Sequence, residues 1–311
     1  MHPDLTLHPE VAEALAAGQP VVALESTLIA HGLPKPLNVE TARAAEAAVR
    51  AADAQPATIA VIGGRIRVGL DAAAIERLAE DPAVEKTSLA DLGALIAGGG
   101  SGATTVAATM FCAHLAGIRV FATGGIGGVH RGAGASFDVS ADLDALARFP
   151  VAVICSGAKA ILDIGATLEV LETRGVPVIG LATDVFPAFW AADSGFPAPR
   201  RAATAREAAA FADAHWRLGL TSGLVIANPP PAAVALPPEV MEKAVAVALA
   251  EAEAVGVAGK RLTPWLLSRV AEITDGHSLA ANTALIAANA GAGGEVAVAY
   301  AALAAGAGGS R

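Results

Sequence analysis

Basic residues are scarce in this sequence. Lysine and arginine together number 21 against 30 aspartates and glutamates, which gives a net charge of −9 at pH 7. Affinity for long nucleic acids comes mostly from Lys and Arg side chains that neutralise phosphates. The sequence therefore predicts no nucleic acid partner. A small anionic substrate remains compatible with it, because a pocket can carry local charge opposite to the net charge.

Cysteine is rarer still. The chain has two, Cys112 and Cys155, and both lie in apolar surroundings. Buried thiols without a disulfide framework are typical of a reducing compartment. Residues 1–20 carry acids and histidines and have neither a basic start nor an apolar core, so they do not resemble a signal peptide. We expect a soluble, cytoplasmic protein.

A long uninterrupted apolar run is missing as well. Residues 278–310 contain one charge, Glu295, but Asn282, Thr283 and Asn289 interrupt the segment. The apolar run that remains is shorter than the roughly 18 residues that a membrane-spanning helix needs. We therefore expect a buried helical hairpin here and no membrane contact.

The sequence does contain many aliphatic residues, since 54% of its 311 positions are hydrophobic. Short runs rich in Val and Ile alternate with helical patterns, which predicts an α/β protein. The predicted strands are Val21–Leu24, 58–62, 119–122, 151–154, Val178–Leu181 and 223–226. The predicted helices include 38–52, 105–116, 160–174 and 203–218.

The pair Gly63-Gly64 predicts a tight hairpin turn, so the sheet should be mixed. From residue 238 onward only helical patterns follow. We predict a three-layer α/β/α fold with a mixed central sheet and a helical C-terminal third, in one domain over residues 1–311. Loops at the carboxyl ends of strands build the site in such sheets. The three prominent ones are 25–36, 123–142 and 155–159.

Lys159 is the first candidate for chemistry. The chain has five lysines against sixteen arginines, and this one follows a predicted buried strand by a short turn and is expected to begin a helix. A helix N-terminus and burial both favour the neutral amine, which attacks carbonyl carbons to form imines. A lysine that merely reaches solvent from a helix start is the alternative. Ser156-Gly-Ala-Lys159 also fits the S-x-x-K pattern of acyl transfer, but its companion motifs are absent from the sequence.

The loop after the third predicted strand offers glycines and carboxylates. The run Gly124-Gly125-Ile126-Gly127-Gly128 fits neither a dinucleotide-binding nor a P-loop pattern, but its backbone N–H groups could face an anion. Asp138 and Asp142 follow it. They either cap the next helix, as Ser140 could also do, or hold a hard divalent cation largely through water.

Three other residue types leave alternatives open. Glu25 ends the first predicted strand, where it is either a structural anchor or a general acid/base with a raised pKa. His31, His114 and His130 lack zinc-ligand spacing, so each is expected to be either structural or a lone substrate contact. Cys155 has no readable His–Asn partnership that would make it a nucleophile.

Taken together, these segments resemble the pseudouridine-5′-phosphate glycosidase family, also called pseudouridylate synthase and related to indigoidine synthase A-type proteins. The matching segments run in order over nearly the whole chain. They are 23–27, 31–34, 56–60, 102–110, 122–131, 138–142, 156–159, 228–229, 263–264 and 278–282.

The resemblance implies a role for each candidate residue. Lys159 would be the nucleophile, Glu25 the proton donor, and Asp138 the residue that binds Mn²⁺. The remaining implied residues contact the substrate or line its pocket: Lys86, Val106, Ser140, Ala141, Asp142, Thr123, His130 and Asn282. The family also implies a homotrimer.

Two departures from the family pattern stand out. Leu89-Ala90-Asp91 replaces a turn that usually bears an arginine, which leaves the phosphate contacts open, and Trp265 replaces a phenylalanine.

The implied reaction is reversible cleavage of the C–C glycosidic bond of pseudouridine 5′-phosphate to uracil and ribose 5-phosphate. A lysine imine with the ring-opened ribose suits this chemistry, because no nitrogen or oxygen leaving group can be protonated as in ordinary glycosidases. Two other functions stay open. One is another imine-forming lyase or aldolase that acts on a sugar phosphate, and the other is a non-catalytic sugar-phosphate sensor.

Overall fold

The computed structural model describes residues 2–257 and 259–308. Its strands are β1 (Leu5–Leu7), β2 (Val21–Leu24), β3 (Gln55–Ile62), β4 (Arg65–Val68), β5 (Glu85–Thr87), β6 (Gly102–Thr104), β7 (Val120–Ala122), β8 (Val129–His130), β9 (Ala152–Cys155), β10 (Leu162–Asp163), β11 (Val178–Leu181), β12 (Arg200–Ala202) and β13 (Leu224–Ala227). A π-helical turn, Leu28–Gly32, follows β2, and a 3₁₀ turn covers Gly259–Arg261.

The helices are α1 (Pro9–Ala16), α2 (Leu37–Ala51), α3 (Ala72–Glu80), α4 (Leu89–Ala97), α5 (Val106–Ala116), α6 (Ala133–Ser136), α7 (Ala141–Arg148), α8 (Ile164–Thr173), α9 (Ala205–Arg217), α10 (Pro238–Ala254), α11 (Leu262–Ile273) and α12 (His277–Gly308). All six predicted strands and all four predicted helices are present, with ends shifted by a few residues. The predicted hairpin implied β4 without giving its range, and the short strands β1, β5, β6, β8, β10 and β12 were not predicted.

A central mixed sheet organises the molecule. Its strands follow the order β1-β4-β3-β2-β7-β9-β13-β11-β12, and β6 and β5 extend it from β3. The strands from β3 to β12 along this order pair in parallel, whereas β3 and β4 form an antiparallel hairpin. Gly63 and Gly64 form the turn of that hairpin with φ of 57° and 73°, as their sequence predicts.

Helices cover the sheet in two outer layers. Helix α12 packs against α2 and α9 and lies on β2, β7 and β9, while α2 lies on β3 and α9 on β11 and β12. Helix α5 packs on β2, β3 and β4 and against α7. Central strands are buried on both faces, which is why β2, β7, β9 and β13 consist almost entirely of aliphatic residues. The predicted three-layer α/β/α fold with a helical C-terminal third is confirmed.

The expected helical hairpin in residues 278–310 is wrong, because α12 is one continuous helix up to Gly308. Among the described residues α12 is also the one helix whose length and composition fit a membrane span, with 44% of its most apolar window buried. These two criteria alone are weak evidence for a span, and α12 packs on the sheet as a core helix does. Gly293 allows this close packing, since a Cβ there would lie 3.1 Å from the Cβ of Ala122.

Candidate active site

A cavity of about 400 Å³ lies at the carboxyl ends of β2, β7 and β9. This is the edge of a parallel sheet where functional loops gather. The cavity walls include ten of the eleven predicted site residues: Glu25, Lys86, Val106, His130, Asp138, Ser140, Ala141, Asp142, Lys159 and Asn282. The structure thus brings together residues that are up to 257 positions apart in the chain.

Glu25 follows β2 directly, is partly buried and lines the cavity. Burial raises the pKa of its carboxyl, because a charged group loses hydration there. The Lys159 ammonium and a hydrogen bond from the Thr123 hydroxyl oppose this rise, since both favour the carboxylate. Glu25 is therefore poised to hold or release a proton beside a cation.

Thr123 is the one predicted site residue that does not line the cavity. It is buried at the end of β7, where its hydroxyl donates to the carboxylate of Glu25. Its place is therefore behind Glu25, where it supports that side chain.

Lys159 lies in the loop between β9 and β10. The expectation that it begins a helix is wrong, because α8 begins at Ile164, after β10. The prediction that a helix N-terminus disfavours its charge therefore does not apply. Its backbone N–H donates to the carbonyl of Ile126 at 3.1 Å. Residues 156–159, the lysine loop, are thus attached to residues 124–128, the glycine-rich loop.

Gly157 fixes the shape of the lysine loop. Its φ of 75° is in the left-handed region, and a Cβ on it would lie 2.0 Å from the carbonyl oxygen of Pro187. No residue with a side chain fits there without moving the backbone. The Ser156-Gly-Ala-Lys159 pattern is thus a tight strand exit that presents the lysine to the cavity.

Asp138 and His130 form a pair at the cavity wall. Nδ1 of the His130 ring lies 3.9 Å from Oδ2 of Asp138. The backbone N–H of His130 donates to the backbone carbonyl of Asp138 at 3.0 Å. Burial lowers the pKa of His130; the Asp138 carboxylate opposes this and the Lys159 ammonium adds to it. The Asp138 side chain is 42% exposed, so it has room to bind water or an ion.

Within the described residues, no three His, Cys, Asp or Glu side chains converge into a metal cluster. A cation at Asp138 would therefore keep water or substrate oxygens as most of its ligands. That arrangement fits small hard divalent ions, which part with water reluctantly and often bind through one or two carboxylates.

Asp142 has a structural role that the neighbouring sequence does not reveal. Its two carboxylate oxygens accept N–H groups from Ala107 at 2.9 Å and from Gly127 at 2.7 Å. The carboxylate thus joins the first turn of α5 to the glycine-rich loop. Ser140 caps α7 by accepting the N–H of Asp142 at 3.2 Å, as one of the sequence-based alternatives predicts.

The remaining predicted residues come from three separate elements. Lys86 is in β5, Val106 begins α5, and Asn282 is in the first half of α12. The segment 89–91, which departs from the family pattern, forms the first turn of α4. Its Asp91 accepts the N–H of Ser88 at 2.8 Å, so it caps the helix and adds no cation.

Sequence reasoning missed several residues of the cavity wall. Phe189 packs over the glycine-rich loop, since a Cβ on Gly125 would lie 2.6 Å from its ring, and its φ is 60°. Ser88 and Thr105 also line the cavity. No local pattern marks them, because only the fold brings their segments to this edge of the sheet.

The fold and the cavity together define an α/β enzyme in which a lysine and a buried carboxylate face one pocket. The sequence matches the family model described as indigoidine synthase A like protein over residues 10–299, and the chain belongs to this family. The resemblance stated from the motifs is confirmed.

Curated relatives match over nearly the whole chain. A protein of Deinococcus radiodurans named pseudouridine-5′-phosphate glycosidase is 56% identical, with 97% of each chain covered. Another of Paracoccus denitrificans with the same name is 57% identical, and the match covers 97% of this chain and all of that protein.

Two solved structures share the fold. The prealnumycin C-glycosynthase AlnA, in complex with ribulose 5-phosphate, superposes with a TM-score of 0.91 at 40% identity, covering 98% of this chain and all of the other. An indigoidine synthase A-like protein from Thermotoga maritima gives a TM-score of 0.87 at 33% identity, covering 96% and 97% of the two chains.

Proposed function

We propose that this protein reversibly cleaves the C–C glycosidic bond of pseudouridine 5′-phosphate, giving uracil and ribose 5-phosphate. The observation that carries the proposal is the meeting of Lys159 and Glu25 in one cavity. The curated relatives at 56–57% identity support the choice of substrate.

The bond to be broken dictates the mechanism that we propose. Both atoms of the bond are carbon, so protonation of a heteroatom leaving group cannot start the reaction. The neutral amine of Lys159 bonds to C1′ while the bond between C1′ and the ring oxygen breaks and that oxygen is protonated, which gives an open-chain amine still attached to uracil. The lone pair of the lysine nitrogen then forms the C1′=N bond of an iminium as the C–C bond breaks, and the electron pair of that bond leaves with the uracil carbon, which is protonated. Water then hydrolyses the imine and releases ribose 5-phosphate, so one water is consumed per cleavage.

Glu25 is the proton carrier in this scheme. Burial raises the pKa of its carboxyl, which keeps a larger share of protonated acid at a given pH than an exposed glutamate would have. The carboxyl donates a proton to the ring oxygen as the ribose opens, regains one from the nitrogen of Lys159 once that nitrogen has bonded to C1′, and donates it to the uracil carbon as the base departs. Thr123 holds the carboxyl in position.

Lys86 and the first turn of α5 at Val106 would bind the phosphate end of the substrate. Lys86 supplies a cation on the cavity wall, and its charge favours the ionised form of Glu25 as well. Ser140, Ala141, His130 and Asn282 would contact the sugar and the base. Asp142 would act mainly by holding the glycine-rich loop and α5 in place.

We also propose a divalent cation, Mn²⁺, at Asp138. A bound cation would neutralise and orient oxygens of the substrate, and Asp138 with the adjacent His130 would hold its water shell. Exhaustive chelation should abolish uracil release, and Mn²⁺ should restore it better than Mg²⁺ or Ca²⁺. Full activity of chelated protein would remove Asp138 from this role.

The solved C-glycosynthase supports the reaction class and suggests a second candidate. The protein could join a sugar phosphate to another aromatic carbon acid, or act as an aldolase through the same Lys159. A non-catalytic sensor would need neither an amine nor a buried acid at the cavity. Incubation with Mn²⁺ and pseudouridine 5′-phosphate, followed by detection of uracil, tests the main proposal. Activity confined to other C-glycosides would overturn it in favour of the second candidate.

We further propose that residues 1–311 act as one domain in the cytoplasm and assemble as a homotrimer. A single central sheet with helices on both faces supports the one-domain proposal.

A further inference from the structure

One buried amide connects three strand ends beneath the cavity. Asn289 lies in α12, and its Nδ2 donates to the carbonyl of Thr123 at 2.8 Å and of Gly124 at 3.3 Å, just after β7. The same nitrogen lies 3.1 Å from the hydroxyl of Ser156, just after β9. Its Oδ1 accepts from Nδ2 of Asn228 at 3.0 Å, just after β13.

The orientation of this amide is fixed by its partners. The carbonyl oxygens of Thr123 and Gly124 can only accept hydrogen bonds, so the amino group of Asn289 must face them. Asn289 is fully buried in a helix that is otherwise rich in Ala and Gly. A buried amide is costly unless it is paired, and asparagine is a weak helix former, so stability alone does not favour it there.

The partners of Asn289 connect directly to the reacting groups. The hydroxyl of Thr123 donates to Glu25, and Ser156 precedes Lys159 by three residues through the constrained Gly157. We propose that Asn289 is the positioning residue that sets the acid Glu25 and the nucleophile Lys159 at their working separation. The inference rests on the proposed function for those two roles.

This arrangement has a consequence for proton transfer. The hydrogen bond from Thr123 favours the carboxylate of Glu25 and thereby lowers its pKa. The ammonium groups of Lys159 and Lys86 act in the same direction, and burial and the Asp142 carboxylate act in the opposite one. Release of Thr123 from Asn289 weakens its hydrogen bond to Glu25, so the pKa of Glu25 should rise.

The test compares Asn289→Leu and Asn289→Ser with Val296→Ala, a buried position further along α12. Leu has a similar size and cannot hydrogen-bond, whereas Ser leaves room for water should the Leu variant fail to fold. Uracil release gives kcat and KM. Titration of Glu25 by ¹³C NMR in glutamate-labelled protein gives its midpoint without any need for turnover.

Both Asn289 variants should lower kcat by about 10- to 100-fold, because a small misplacement of reacting groups has effects of that order. KM should change little, since Asn289 does not line the cavity. The Glu25 midpoint should move to higher pH. Thr123→Val should raise the titration midpoint of Glu25 by the same amount. The double variant, Thr123→Val with Asn289→Ser, should raise it no further. Val296→Ala should lower thermal stability and leave kcat and the midpoint unchanged.

An unchanged Glu25 midpoint in the Asn289 variants, or changes matched by Val296→Ala, would overturn the positioning role. Absence of uracil release from the wild-type protein would overturn the proposed function instead. The NMR titration would still decide whether Asn289 controls Glu25.

Discussion

Two lysines border the cavity, one in a loop and the other in a strand. Lys159 sits in a loop that Gly157 and Pro187 hold rigidly, whereas Lys86 is in the short strand β5. We expect ribose 5-phosphate and borohydride to fix a sugar adduct on the peptide that contains Lys159. Lys159→Ala should abolish the adduct, because the imine needs this amine.

Lys86→Met is the matched control for this experiment. At saturating ribose 5-phosphate it should still form the adduct, and it should raise KM for cleavage because it weakens phosphate binding. Peptide mass spectrometry locates the modified lysine. An adduct on Lys86 in the wild-type protein would contradict the assignment.

Glu25 allows a prediction about pH. As a general acid it acts in the protonated form, so kcat/KM should fall as pH rises through its pKa. Burial raises that pKa, so the midpoint of the fall should lie above the 4.5 typical of an exposed glutamate. Glu25→Gln should remove this limb and lower uracil release by about 10²- to 10⁴-fold, as loss of a general acid does.

Imine formation separates acid catalysis from nucleophilic attack in this variant. Ribose 5-phosphate opens its ring spontaneously, so borohydride trapping should survive slowly in Glu25→Gln. Cleavage of pseudouridine 5′-phosphate should be lost in the same variant, because the ribose ring of this substrate opens only with acid assistance. A Glu25→Gln variant with a near wild-type rate would make Glu25 a structural anchor.

At the scale of elements, the shape of the cavity depends on hydrogen bonds that hold α5, α7 and the glycine-rich loop together. The carboxylate of Asp142, in α7, accepts one backbone N–H from α5 and one from that loop. In Asp142→Asn the amide nitrogen must face one of these donors, so a buried hydrogen bond is lost. We expect a loss of about 1–3 kcal/mol in the free energy of unfolding, together with lower activity.

Asp144→Asn is the matched control in the same helix. Asp144 is exposed and pairs with Arg174, and exposed ion pairs contribute about 0–1 kcal/mol. Denaturant unfolding of both variants measures the difference. If Asp142→Asn changed KM alone and left stability intact, Asp142 would be a substrate contact without an anchoring role.

At the scale of the whole molecule, the surface retains large apolar side chains. Phe137 is 85% exposed, Leu218 79% and Val255 65%. Phe137 also lies beside Asp138 near the cavity, with φ of 56°. Single exposed apolar side chains are normal on monomers as well, so the proposed homotrimer rests on the family resemblance.

Light scattering at micromolar concentration checks this assembly. We expect a mass three times the 30.7 kDa of one chain. A single species with the mass of one chain would contradict the trimer, and a stable dimer would do so equally.

Much of the architecture could be predicted from local patterns. The strands β2 and β11 are aliphatic runs with both faces buried, and such runs are recognisable because burial on two sides excludes polar residues. The hairpin at Gly63-Gly64 has the positive φ values that its sequence indicates. Glu25 and Lys159 were identified from the strands that precede them and from the family motifs, and both lie in the cavity.

Other features depend on contacts between distant segments, which local patterns do not encode. Residues 278–308 belong to one helix because glycines such as Gly293 let it lie against the sheet, and Asn289 of this helix faces the strand ends. Asp142 cannot be identified as an anchor from its neighbours in sequence, since its two donors are 35 and 15 residues away. The sequence by itself determined which groups are available for chemistry, because side-chain identity is local. Only the tertiary structure decided which of them meet and what holds them there, because hydrogen bonds such as that between Asn289 and Thr123 join residues 166 positions apart.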